Sequence, residues 1–129
     1  AAPYFPAEAR ALMSRFAFDE RDADEQARLR RGHVRGDGQI RALVAQANGF
    51  ASSYDDMSFT PPWLGTIRAR TLIVHGDRDP FYPVHLAFEL YAAIPGSSLW
   101  VMPQAGHGPI FGANAVPFAE QALAFLRQP

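Results

Sequence analysis

The sequence predicts an α/β chain, a parallel β-α-β-α unit preceded by a segment of helices. Three observations carry that expectation. Two short apolar runs rich in strand formers, residues 71–76 and 98–103, are each followed by apolar positions at helical spacing. The 27 positions between their starts, 71 and 98, suit a crossover through a helix and are too many for a hairpin. Charge is also unevenly spread. Residues 1–41 hold eight Arg and seven acids, whereas residues 80–126 hold no Arg and only Glu89 and Glu120 as acids, which marks solvent-facing helices first and covered elements later.

Taken in order, the first helices are expected at about 7–18, 22–31 and 38–53. Asp22 precedes Glu25 by three residues in a capping-box arrangement, and Gly32 closes the run Arg28-Leu29-Arg30-Arg31. Asp37 stands before Ile40, Leu43, Val44 and Ala47, which form one apolar stripe. The stretch Ser58-Phe59-Thr60-Pro61-Pro62 is the internal boundary, because two prolines end any helix before it and Thr60 can cap a new turn. Asp55 and Asp56, just ahead of it, read as turn residues.

Beyond the boundary, Thr71-Leu72-Ile73-Val74-His75-Gly76 reads as a strand buried on both faces and stopped by Gly76-Asp77-Arg78-Asp79-Pro80. Pro83 opens a helix whose Val84, Ala87, Phe88, Tyr91 and Ile94 share a face until Pro95-Gly96. A second strand follows at 98–103, then a loop from Gln104 to Gly112 and a last helix from about Asn114 to Arg127. The crossover is expected to be right-handed.

Composition excludes several chemistries. All 12 cationic side chains are Arg, so a Schiff-base or P-loop lysine is absent, and zero Cys removes disulfides, thiolate metal sites and a cysteine nucleophile. A net charge of −1 gives no nucleic-acid footprint, and the apolar runs are too short to span a bilayer. With AAPYFPAEAR at its start showing no basic, long-apolar signal pattern, the expectation is a cytoplasmic protein.

Catalytic groups in open parallel sheets collect at the carboxyl ends of the strands. The loop after the first strand offers Asp77 and Asp79, and the loop after the second offers His107 between two glycines. Neighbouring strands lie about 4.8 Å apart, so an Asp past one end and a His past the next can touch. That pair is the acid-to-base half of a triad: a carboxylate fixes the imidazole tautomer, and the other ring nitrogen takes a proton from a nucleophile or water. Asp77 is the rival acid, though its place beside Arg78 suits turn capping. Phe81, Tyr82, Trp100 and Phe111 are candidates to line an apolar pocket, with Phe81 and Phe111 the two assigned to substrate binding. His33, His75 and His85 share no metal-ligand spacing and read as hydrogen-bonded core or capping residues; neither metal nor cofactor is expected. Arg28, Arg30, Arg31 and Arg35 lie among acids and read as a solvated helix face.

Gly76-Asp77-Arg78-Asp79-Pro80-Phe81-Tyr82-Pro83 resembles the G-x-x-D-P-x-x-P stretch of α/β-hydrolases, and Gln104-Ala105-Gly106-His107 resembles their histidine loop. The resemblance spans about residues 60–127. It implies Asp79 as triad acid and His107 as general base, residues 1–59 as a helical cap segment and 60–129 as the C-terminal part of the hydrolase core. The family's G-x-S-x-G elbow does not occur in these residues, and Ser14, Ser52, Ser53, Ser58, Ser97 and Ser98 lie where none can replace it. The oxyanion donors that accompany the elbow are missing with it.

The leading expectation is therefore the C-terminal segment of a hydrolase that attacks a small carbonyl-type substrate in its full-length form. That segment carries acid and base, and the nucleophile, whether Ser, Asp or Cys, lies elsewhere. The alternative is a non-catalytic binding or assembly module built from half a hydrolase fold. Two parallel strands leave unpaired edges. Either a missing N-terminal half or a second copy in a homo-oligomer is expected to cover them, with Phe88, Leu90, Tyr91, Phe118 and Phe125 available for burial.

Overall fold

In the computed structural model, which describes residues 2–53 and 59–128, the elements run α1 (Ala7–Met13), α2 (Ala23–Gly32), α3 (Gly36–Gly49), α4 (Pro61–Leu64), β1 (Leu72–Gly76), α5 (Val84–Ala93), β2 (Ser98–Met102), a 3-10 turn (Gly112–Asn114) and α6 (Ala115–Arg127). The expected turn at Asp55 and Asp56, and Ser58 of the expected boundary, lie outside the described residues. The chain divides into two compact units, residues 7–56 and residues 1–6 together with 57–129. Residues 2–6 thus belong to the unit that holds the strands: Phe59 N donates to Pro3 O at 2.8 Å, and Tyr4 Oη donates to Glu89 Oε1 of α5 at 3.2 Å.

The helical unit buries Ala9, Met13, Phe18 and Ile40. Asp22 caps α2 by accepting from Glu25 N at 2.8 Å, while the Glu25 side chain turns to Arg21 instead of closing a reciprocal box. Gly32 is the last residue of α2, and His33 Nδ1 lies 2.7 Å from Leu29 O. Two expected helices end early. At α1 the backbone tightens, with Arg15 N donating to Leu12 O and Phe16 N to Met13 O, and Phe18 is delivered to the core. Beyond α3, the Arg10 guanidinium captures the carbonyls of Phe50 and Ser53, so the chain leaves the helix at Gly49 instead of running to 53. The helix-face arginines are partly paired: Arg30 grips Asp37 with two bonds of 2.8 Å, Arg41 grips Asp19 at 3.0 and 2.7 Å, and both guanidinium groups lie over the Phe18 ring.

In the other unit β1 and β2 pair in parallel, Leu72 opposite Ser98 through Gly76 opposite Met102. Helix α5 is the crossover, and its Ala87, Leu90 and Ile94 pack with Ile73 and Leu64 into the core. Thr60 stands at the N-cap of α4, with prolines filling the first helical positions, where a missing N–H costs nothing. Burial differs from the expectation of strands covered on both faces. Ile73, His75 and Gly76 are buried in β1, but in β2 only Met102 is, and Trp100 is half-buried. Helix α6 has no buried residue; Leu126 is 71% exposed, and Phe118, Ala122 and Phe125 line an open groove of about 400 Å³ with Leu72 and Val74 of β1. An apolar run in sequence reports the capacity for burial, and the described residues do not fill it. No helix among the described residues is long and apolar enough to cross a membrane.

Candidate active site

The loops that leave β1 and β2 are joined by backbone. Asp77 N donates to Met102 O at 3.2 Å, extending the ladder by one step, and Arg78 N donates to Ala105 O at 2.9 Å. This approach needs Gly76, because a Cβ there would lie 2.3 Å from Ala105 O and 2.5 Å from Gly106 O. In the histidine loop Gln104 (φ 56°) and Gly108 (φ 74°) take left-handed conformations on either side of His107 and turn the chain back on itself.

Asp79 and His107 meet across these loops. His107 Nδ1 lies 3.0 Å from Asp79 Oδ2, and the Asp79 side chain is 3% exposed against 54% for His107. The acid is buried and the base is open. Asp79 Oδ1 accepts from Phe81 N at 2.8 Å and from Tyr82 N at 3.1 Å, so the turn that follows the acid also aims it. Burial acts to raise the Asp79 carboxyl. The bonds from His107 and from the two amides outweigh it, and the group is held below its ordinary value of 3.8. A carboxylate facing Nδ1 requires that nitrogen to carry the proton, which leaves Nε2 as an acceptor.

The rings of Phe81 and Tyr82 flank the imidazole, with centroids 4.9 and 5.6 Å from it. Phe5 stacks on Tyr82 at 6.2 Å, a contribution from the chain's first residues that no motif announces. Phe111 is placed differently: it is 72% exposed and covers Gly108, the residue after His107. Asp77 lies 4.0 Å from Arg78, and both are exposed. Among the described residues no three His, Asp or Glu side chains gather where a metal could be held.

His75 is fully buried in β1, and its Nε2 lies 2.9 Å from Tyr82 O. Burial is the main cause that holds its pKa below the ordinary 6.5. Such a group binds fewer protons folded than unfolded, so its stabilising contribution is complete above about pH 6.5 and is lost as pH falls toward its folded pKa. A His75→Gln variant is accordingly expected to lose that share of the pH dependence. In denaturant titrations from pH 7.5 to 5, the gap in stability between parent and variant should narrow with acid; a constant gap would contradict the assignment.

No protein-family model matches the chain. Among curated proteins it is 37% identical over 123 residues to the 2-hydroxy-6-oxononadienedioate/2-hydroxy-6-oxononatrienedioate hydrolase of Klebsiella pneumoniae subsp. pneumoniae, covering 89% of this chain and 39% of that protein. It is 31% identical over 121 residues to the hydrolase of the same name from Escherichia coli (strain K12 / DH10B), covering 92% and 40%. The chain thus spans about two-fifths of the length of these relatives. Among solved structures it superposes on 2-hydroxy-6-oxo-6-phenylhexa-2,4-dienoate hydrolase from Rhodococcus sp. strain RHA1 with a TM-score of 0.64 at 18% identity, over 99% of this chain and 50% of that one. An esterase from Exiguobacterium antarcticum superposes with a TM-score of 0.54 at 22% identity, over 93% and 42%.

Proposed function

Because this chain carries the C-terminal part of the α/β-hydrolase fold, we propose that Asp79 and His107 are the acid and general base of a hydrolase acting on a small carbonyl-type substrate. The nucleophile and oxyanion donors are supplied by polypeptide outside these 129 residues. The observation that carries the reading is the buried, amide-fixed Asp79 carboxylate bonded to a solvent-facing His107. With Nδ1–H held by Asp79, Nε2 accepts the proton of the attacking group, and the carboxylate stabilises the imidazolium that forms. His107 then returns that proton to the leaving group. Phe81 lies beside the imidazole and offers an apolar wall to the substrate; Phe111, on the exposed side of Gly108, meets substrate only where further polypeptide closes over the loop.

The relatives' names specify substrates with a 6-oxo group, which is the carbonyl such a site would attack. In this reading residues 1–59 would be the helical cap segment and 60–129 the C-terminal part of the core, although residues 1–6 group with the unit that holds the strands. The open edges of the two-stranded sheet and the exposed apolar face of α6 are where the remaining polypeptide, or a second copy of the chain, would pack.

A graft tests this reading. The segment of the Klebsiella pneumoniae relative that matches this chain is replaced by the chain itself, and turnover is followed on p-nitrophenyl acetate and on the relative's named 2-hydroxy-6-oxo dienedioate. The folded graft is expected to turn over, and His107→Ala to remove that activity. A folded graft whose rate is indifferent to His107 would favour an assembly module without chemistry.

A further inference from the structure

The acid turn has a support beneath it that the chemistry proposed for Asp79 and His107 does not use. His75 projects from β1 on the same side as Ile73, toward α5, and is wholly buried. Its Nε2 reaches the carbonyl of Tyr82, the residue before Pro83, where the chain has left the turn and α5 has not yet begun. A carbonyl can only accept, so Nε2 of His75 carries the proton. Tyr82 is joined to the site in two further ways. Its amide donates to Asp79 Oδ1 at 3.1 Å, and its ring lies 5.6 Å from the His107 ring. One residue therefore ties the strand to both members of the pair.

We propose that His75 is a positioning residue for the Asp79–His107 pair, its Nε2–H bond to Tyr82 O fixing the end of the acid turn so that Asp79 Oδ2 stays aimed at His107 Nδ1. This rests on the reading of the pair as acid and base, and it assigns to a strand residue a role that touches no substrate. Without the bond, the Tyr82 carbonyl loses the donor that ties it to β1. The Tyr82 amide then leaves Asp79 Oδ1, and the carboxylate loses one of the two donors that set its angle. A side chain that merely fills space at position 75 would not hold the turn.

The test uses nitrogen-15 histidine-labelled chain and reads the ring nitrogens directly. In the parent, two-bond nitrogen–proton correlations should show His75 as the Nε2–H tautomer; an Nδ1–H tautomer would overturn the proposal without any variant. His75→Asn, whose amide falls short of Tyr82 O, and His75→Leu are expected to speed solvent exchange of the His107 Nδ1 proton by about tenfold or more. His75→Gln, whose amide reaches the Nε2 position, should restore most of the protection. A folded Asn or Leu variant with His107 exchange unchanged would refute positioning. Asp79→Asn separates the two ideas: if it also leaves the His107 signal unmoved, the acid–base pair itself fails, whereas a response to Asp79→Asn alone removes only the role of His75.

Discussion

An Asp79→Asn substitution in the grafted hydrolase is expected to lower turnover by about 10³–10⁴-fold while the protein remains folded. The size follows from which atoms Asp79 already uses. Oδ1 accepts the Phe81 and Tyr82 amides and Oδ2 faces His107 Nδ1. In an asparagine the amide-facing position must stay an oxygen, because two N–H groups point at it. The carboxamide nitrogen is then left opposite His107. A donor facing Nδ1 forces the imidazole into the other tautomer, with the proton on Nε2, and a protonated Nε2 cannot take a proton from a nucleophile. The side chain keeps its volume and its turn contacts, so the melting transition should shift little. His107→Ala should cost a similar factor, and the double variant little more than either single one, since the two act as a unit. Losses that multiply in the double variant, or a drop of less than tenfold in Asp79→Asn, would separate the pair and contradict the assignment.

How much of this was legible in the sequence depends on the residue. The approach of Asp79 to His107 was legible, because two apolar runs at a crossover spacing place their following loops side by side. Asp-Pro after a strand also announces a turn that uses its own carboxylate. The core-facing period of α5 was misread: Ala87 and Ile94 face the core as expected, but Val84, Phe88 and Tyr91 are exposed and Leu86 and Leu90 are buried in their place, because in an all-apolar stretch the spacing fits more than one face. The ends of α1 and α3 were not legible, although Asp22 and Gly32 bound α2 as expected. Nothing local to Phe50 or Ser53 tells that Arg10, some forty positions earlier, will capture their carbonyls and end α3. The burial of the strands was over-read, since Leu99 and Trp100 are apolar in sequence whether or not a partner covers them. Phe5 was invisible as a neighbour of the site, because its stacking on Tyr82 depends on the opening residues returning past Phe59. Gly76 was legible as a turn residue but not as a point of backbone contact, which appears only when the two loops are seen together.

That contact yields the largest expected effect on stability. Gly76→Ala places a Cβ 2.3 Å from Ala105 O and 2.5 Å from Gly106 O, far inside any tolerated separation. Both obstructing atoms are backbone, so no side chain can swing aside. The histidine loop must retreat from β1, and in retreating it lengthens the bond from Arg78 N to Ala105 O, now 2.9 Å. Overpacking of this kind costs about 1–3 kcal/mol and the lost backbone bond about 1 kcal/mol more, so a total of about 2–4 kcal/mol is expected. The measurement is a denaturant midpoint that moves at constant slope. Gly106→Ala is the internal control, because the nearest atom to its added Cβ is Arg78 O at 4.0 Å and its backbone needs no left-handed conformation. It is expected to change stability by less than about 0.5 kcal/mol. The same retreat also carries His107 away from Asp79, so Gly76→Ala should lose the protected His107 Nδ1 proton while Gly106→Ala keeps it. Equal tolerance of the two alanines would mean that the loops are not joined through Gly76, and the pairing of acid and base would then need another support.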